Sequence, residues 1–250
     1  MIQLTDMETL TALLKKFPRA KSNFYILPAD HRRLVASGTL FYDEAPGGVL
    51  FYERRGEVYK LFFRAADFSR CELPPCTEPL SSYLPFRAAP DAEAEAWLFS
   101  QGFVYRHTEL KLTAESISAP RRHEITPATG EEADEFFRLT FPNRKADLPE
   151  RAFYETLQAV RDESGKPLGM VHYGGTREVL LISVLPQARG QGIALSLFSA
   201  YADGVAHLEG PHRILVVDGN TPAQTLYAKL GYLADGLKIN FYYKDPDTGK

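Results

Sequence analysis

Leu181-Ile182-Ser183-Val184-Leu185-Pro186-Gln187-Ala188-Arg189-Gly190-Gln191-Gly192-Ile193-Ala194-Leu195 is the stretch on which the reading of this chain turns. The apolar run Val179–Leu185 reads as a buried strand, Pro186 stops it, and a helix follows the glycines. Gly190 and Gly192 permit backbone conformations closed to other residues and put no side chain between main chain and ligand. The helix behind them offers unpaired N–H groups and the positive end of its dipole, so an anion is favoured there. Arg189 adds a forked cation. Strand, glycine turn and helix together predict a seat for a diphosphate.

The spacing excludes two familiar nucleotide sites. Gly-x-x-x-x-Gly-Lys-Ser/Thr is absent, and the turn is not a Gly-x-Gly-x-x-Gly followed by an acidic residue at the end of the next strand. A second informative segment runs from Arg213 to Tyr232. Ile214–Val217 is a β-branched run suited to a parallel strand covered on both faces. Thr221 is the expected N-cap, with Pro222 opening the helix and Gln224 completing a capping box. Ala223, Leu226, Tyr227 and Leu230 fall on one helical face, and Gly231 ends the helix.

These two segments resemble the GNAT (GCN5-related) N-acetyltransferase superfamily. The family's acetyl-CoA signature, Gln/Arg-x-x-Gly-x-Gly/Ala, is met in two overlapping registers, Gln187–Gly192 and Arg189–Ala194. Its second motif is matched by Asn220, Leu226-Tyr227 and Leu230-Gly231-Tyr232. The resemblance implies an α/β (α+β) acyltransferase fold with a mixed central sheet. It further implies that amides of Ile182, Ser183 and Val184 hold the pantetheine arm and acetyl carbonyl. Amides of Gly190, Gln191, Gly192, Ile193 and Ala194, with Arg189, would then cradle the pyrophosphate. Asn220 either bonds the pantetheine amide or only shapes the turn. Tyr227 is the implied general acid for the departing thiolate, against the alternative of a packing tyrosine.

The base is not given by any motif. Where some relatives carry a Glu, this chain has Ile-Leu-Val-Val at 214–217. The candidates are His172, whose ordinary pKa suits proton abstraction, Asp218, Glu178, or a water chain.

The family pattern covers residues 122–250, with the order βααβββαβαβ. Within it are expected a first strand at His123–Thr126 and a helix capped by Thr129 and Glu132. A second helix is expected from Pro149 to about Leu157, then a hairpin turning at Asp162–Gly165, and last a strand over Leu237–Lys244. Residues 1–118 read as a helix over Asp6–Phe17 and a meander at Leu40–Tyr42, Val49–Glu53 and Val58–Phe63. The segment Pro74–Pro90 reads as loop, and a helix capped by Asp91 leads into a strand at Tyr105–Leu112. Ser100-Gln101-Gly102-Phe103 before that strand echoes Lys229-Leu230-Gly231-Tyr232 before the last one. Tandem GNAT-like halves are therefore expected, joined near Ser116–Arg122, with an unrelated α+β accessory domain as the alternative. Arg64–Ser69 has no glycine and places Asp67 where phosphate would sit, so one cofactor site is expected, in the second half.

Composition narrows the class further. A net charge of −3 gives no general attraction to nucleic acid or to an anionic membrane surface. The first residues carry no basic or apolar leader pattern, and no apolar run reaches bilayer length. Two cysteines, Cys71 and Cys76, with no matching ligands suit a reducing cytoplasm and no metal. The expected function is acetyl transfer from acetyl-CoA to a primary amine, by a monomer or homodimer. Phe141–Leu148 and the N-terminal half would form the acceptor wall. The alternatives are a non-catalytic acyl-CoA sensor, or transfer from a longer acyl or an aminoacyl donor.

Overall fold

A computed structural model of the chain describes residues 1–17, 20–24, 28–141 and 156–246. It divides into two compact units, Met1–Thr108 with Lys238–Lys250, and Glu109–Leu237. The units do not follow the expected cut at 118–122. The C-terminal strand belongs in part to the first unit, and a strand preceding residue 118 belongs in part to the second.

The first unit contains β1 (Ile2–Gln3), α1 (Met7–Lys16), β2 (Lys21–Ser22), α2 (Pro28–Ala36), β3 (Leu40–Ala45), β4 (Gly48–Arg55), β5 (Val58–Ala65), β6 (Leu80–Phe86) and α3 (Ala92–Ser100). Asp6 caps α1 by accepting from the Thr9 amide at 2.7 Å, and Asp91 caps α3 from the Glu93 and Ala94 amides. The meander β3-β4-β5 is antiparallel, and β5 meets β6 in parallel through only two pairs, Tyr59↔Leu80 and Lys60↔Ser81. Beyond those pairs the two strands part. The opening is filled from within the unit. β2 pairs with β5 at Lys21↔Ala65 and Ser22↔Arg64, and Asn23, fully buried, continues into the fork. The Asn23 side chain donates to the Tyr83 carbonyl at 2.9 Å and the Ser82 hydroxyl at 3.1 Å, and accepts from the Phe63 amide at 2.6 Å. One side chain thus stitches β5 to β6.

β6 corrects the reading of Pro74–Pro90 as loop. Pro85 argues against a strand because it cannot donate to a ladder. Leu80, Ser82 and Leu84 nevertheless alternate inward, and Pro85 stands opposite Ile239 in an antiparallel pairing with the C-terminal strand. Helix α2 also escaped the sequence reading.

The second unit takes residues 109–114 of β7 (Val104–Ala114), then β8 (Thr126–Pro127), α4 (Gly130–Thr140), β9 (Thr156–Arg161), β10 (Pro167–Tyr173), β11 (Glu178–Val184), α5 (Ile193–Gly204), β12 (His212–Val217), α6 (Thr221–Lys229) and the start of β13 (Leu233–Lys244). Its sheet runs β7-β12-β11-β10-β9-β8, antiparallel except between β11 and β12. The helix expected from Pro149 lies outside the described residues, except that Leu157, its expected end, belongs to β9. The expected first strand, His123–Thr126, is reduced to the two residues of β8.

The apolar faces of α5 and the sheet explain the core. Ile193, Leu197, Phe198 and Tyr201 pack against Val171, Tyr173, Ile214 and Val216, while Phe136 and Phe137 of α4 cover Leu157, Ala159 and Met170 on the other face. Helix α4 starts at a complete capping box between Thr129 and Glu132. Glu132 also accepts from Arg161 at 2.6 Å, and that bond, with the Thr129 amide, holds its carboxyl down at about 2. Because the folded group titrates below its unfolded value, it stabilises the fold above pH about 4.5, and this is lost as pH falls toward 2. Comparing Glu132→Gln with the parent in denaturant titrations should show a constant gap from pH 7 to 5 that closes as pH falls from about 4.5 to about 2.

Candidate active site

The site begins where β11 and β12 part. They share two parallel pairs, Glu178↔Arg213 and Val179↔Ile214, and then diverge. On β11 the register against β10 passes from His172↔Leu181 to Tyr173↔Val179, so Leu180 is an extra residue. Such a bulge bends a strand and sharpens its twist, here at the point of parting. Among the described residues, no strand lies beside Leu181–Val184 on the β12 side. The same fork exists in the first unit, where Asn23 and β2 fill it. In the second unit it is open.

After Leu185 a short 3-10 turn, Pro186–Ala188, leads into the glycines. Gly190 and Gly192 have φ of +80° and +82°, the left-handed region that favours glycine. A Cβ on Gly190 would meet nothing within 4 Å, so the turn presents bare main chain there. Gly192 is the N-cap of α5 and makes no side-chain cap. The first helical bond runs from the Ser196 amide to the Gly192 carbonyl, so the amides of Ile193, Ala194 and Leu195 have no partner within the helix. The helix comes this close to the sheet because of another glycine. A Cβ at Gly169 of β10 would lie 2.6 Å from the Ile193 Cγ2 atom.

A cleft of about 630 Å³ lies over this turn. Of the predicted cofactor residues, Ile182, Ser183, Val184, Arg189, Gly190, Gly192, Ile193, Ala194 and Asn220 line it, as does Tyr227. Gln191 does not. Its carbonyl is held by the ring of His123 at 2.8 Å. Arg189 folds back so that its Nε donates to the Val184 carbonyl at 3.3 Å.

A second cleft, about 510 Å³, is lined by Leu180, Leu181, Leu215, Val217, Asp218 and Gly219. Phe141, Ile182, Asn220 and Tyr227 line both. Tyr227 is the hinge of the arrangement. It is 6 % exposed, set edge-on to Phe198 and Tyr232 with centroids 5.7 and 5.9 Å away. Burial pushes its phenol well above the ordinary tyrosine range, so it holds its proton throughout the neutral range.

Asn220 corrects the expected cap of α6. Its Oδ1 accepts from the Ala223 amide at 3.3 Å, so Asn220 rather than Thr221 is the N-cap. Gln224 closes no capping box and instead donates to the Val217 carbonyl. The carbonyl end of the Asn220 amide is thereby used locally, which leaves its NH₂ as the end that can meet a ligand carbonyl.

The base candidates fall in different places. His172 is 2 % exposed, between Leu157 and Leu181 in the sheet, and by alternation shares the face of Met170 that α4 covers. It lines neither cleft, and burial lowers its imidazole to about 4. Glu178 sits where β11 and β12 are still paired. Burial raises its carboxyl, with Arg213 and Lys111 opposing. Only Asp218 borders a cleft. Of the expected acceptor loop, Phe141 borders both clefts and the rest lies outside the described residues.

The sequence reading missed Arg122, which lines the first cleft from the segment before β8. The basic pair Arg121-Arg122 was its only signal. Among the described residues, no group of three or more His, Cys, Asp or Glu side chains is placed to hold a metal, and no helix is long and apolar enough to cross a membrane.

Residues 169–239 match the model of the FR47-like protein family. A search of curated proteins finds no match. Several solved structures share the fold. A GCN5-related N-acetyltransferase from Kribbella flavida is 13 % identical, with a TM-score of 0.54 over 89 % of this chain and 94 % of that one. An acetyltransferase of the GNAT family from Colwellia psychrerythraea is 13 % identical, with a TM-score of 0.52 over 97 % and 98 %. A GCN5-related N-acetyltransferase from Sphaerobacter thermophilus is 14 % identical, with a TM-score of 0.51 over 95 % and 90 %. The family match lies across β10, the glycine turn, α5 and α6, and the chain shares the GNAT fold of these solved structures.

Proposed function

We propose that the second unit transfers an acetyl group from acetyl-CoA to a primary amine. The observation that carries this reading is Tyr227, one buried phenol bordering both clefts. The cleft over the glycine turn suits the donor. Bare main chain at Gly190 and the unpartnered first-turn amides of α5 fit a diphosphate. The open edge of β11 offers main-chain groups of Ile182–Val184 to an extended amide-bearing arm. The NH₂ of Asn220 faces the same demand.

The second cleft suits the acceptor. Its walls are aliphatic, and the carboxylate of Asp218 at the rim attracts an ammonium group, so an amine with an apolar body fits best. The ammonium loses one proton to water at that rim, its nitrogen attacks the thioester carbonyl carbon, and the nitrogen releases a second proton to water as the tetrahedral intermediate collapses. The C–S bond breaks, and Tyr227 gives its proton to the sulfur, then takes one back from solvent. His172 has no part in this reading, because it is buried on the sheet face that α4 covers and lines neither cleft.

The test joins calorimetry of coenzyme A with thiol release from acetyl-CoA against a panel of amines. Amine-dependent thiol release supports transfer; coenzyme A binding without release on any amine supports a sensor instead. Gly192→Val adds a β-branched side chain at a φ of +82°, with its Cβ 3.4 Å from Arg122. It should weaken coenzyme A at least tenfold while thermal melting shows the fold retained. Unchanged affinity would remove the glycine turn from the site.

A further inference from the structure

We propose that Arg122, carried by the segment before β8, is the side-chain grip on the donor's diphosphate. The proposal rests on the first cleft being the coenzyme A site. Three observations place this arginine. Its neighbour Arg121 is committed to Asp203 at 2.6 Å, whereas the Arg122 guanidinium has no acidic partner among the described residues. The Arg122 side chain runs along the bare face of Gly192, its Cδ 3.4 Å from where a Cβ would stand, and it borders the cleft. The main chain around it is clasped to α5. The hydroxyl of Ser196, itself fully buried, accepts from the amides of Arg122 at 3.0 Å and His123 at 3.2 Å. His123 then reaches the Gln191 carbonyl at 2.8 Å. The segment is therefore strapped to the turn at two points, one on each side of Gly192.

The strap has a chemical consequence. Arg189, the cation of the sequence motif, bonds its own strand at the Val184 carbonyl, so its Nε is turned away from an anion. Arg122 supplies the forked, permanently charged donors that match a phosphate. Ser196 and His123 are positioning residues that act through it. Gly192 serves twice in this arrangement. It frees the backbone turn, and it leaves the lane along which the arginine lies.

The experiment uses the full chain and titrates coenzyme A, 3′-dephospho-coenzyme A and pantetheine against the parent, Arg122→Ala and Arg121→Ala. For Arg122→Ala the affinity for coenzyme A should fall about tenfold, as expected for a charge-assisted bond at an exposed site. The loss should persist with 3′-dephospho-coenzyme A, vanish with pantetheine, and shrink in high salt. Arg121→Ala should bind as the parent does. If the parent binds coenzyme A and Arg122→Ala binds it equally well, the grip is refuted and the site stands. A loss that disappears with 3′-dephospho-coenzyme A, or one that extends to pantetheine, also overturns the diphosphate assignment. A parent that binds no coenzyme A overturns both readings.

Discussion

Tyr227→Phe should turn over about a hundredfold more slowly than the parent while binding coenzyme A with unchanged affinity. The substitution removes one hydroxyl and keeps the ring that packs against Phe198 and Tyr232. Stability should therefore change by less than about 1 kcal/mol. That separates a lost proton donor from a disturbed core. Because burial holds the phenol protonated far above neutrality, the parent's turnover should show no alkaline fall from Tyr227 below about pH 10. Steady-state kinetics with a competent amine, run beside calorimetry, reads both quantities. A Phe variant at full rate would leave Tyr227 as a packing residue and return the search to solvent.

The largest stability effect should come from the other unit. Asn23→Ala removes the side chain that bridges the fork between β5 and β6 and strips the Phe63 amide and the Tyr83 carbonyl of its hydrogen bonds inside the sheet. Leaving such groups unpaired costs roughly 1–3 kcal/mol each, so a loss of about 2–4 kcal/mol is expected. In a chain of 250 residues that lowers Tm by roughly 5–15 °C. Ser82 also donates to the Leu61 carbonyl at 3.0 Å, which gives the network a second strand-to-strand link and keeps the estimate below the sum of separate losses. Thermal unfolding of the purified variant measures it. A change within about 0.5 kcal/mol would mean that β2 alone holds the fork.

Asn23 also shows why the fork is filled in one unit and open in the other. Both sheets reach a parallel pair of strands joined by two residue pairs and then parted. In the second unit a glycine turn and a twelve-residue helix follow the first of those strands. In the first unit a 3-10 turn over Phe68–Arg70, capped by Asp67, stands in that place. An acidic cap repels phosphate where a bare helix N-terminus attracts it. The missing glycines in Arg64–Ser69 were visible in the sequence; the filling by Asn23 was not, because it depends on a residue distant in the chain.

That contrast describes what a linear reading reaches here. Local signals carried well: the glycine turn, the Asp91 and Thr129 caps, and the hairpin at Asp162–Gly165, whose Asp162 side chain bonds the Ser164 and Lys166 amides at 2.9 Å. Choices between equal neighbours did not. Asn220 and Thr221 are both good caps, and only the turn at Gly219, with a φ of +88°, selects the asparagine. His172 looked suited to catalysis by its chemistry alone, and only the pairing of β10 shows which face of the sheet it occupies. Arg122 lies outside every motif and reaches the cleft through hydrogen bonds to residues more than sixty positions later.

The assignment of Lys238–Lys244 to the first unit has a consequence for biosynthesis. Those residues pair with β6, from Lys238↔Phe86 to Lys244↔Leu80. Meanwhile β12 takes its neighbour from residues 109–114, made long before it. During translation the N-terminal half therefore emerges with one sheet edge unpaired, and that edge is satisfied only after the whole second unit and Lys238–Lys244 have left the ribosome. An unpaired edge invites association with other chains, so Lys238–Lys244 act as the late closure that ends this edge's exposure.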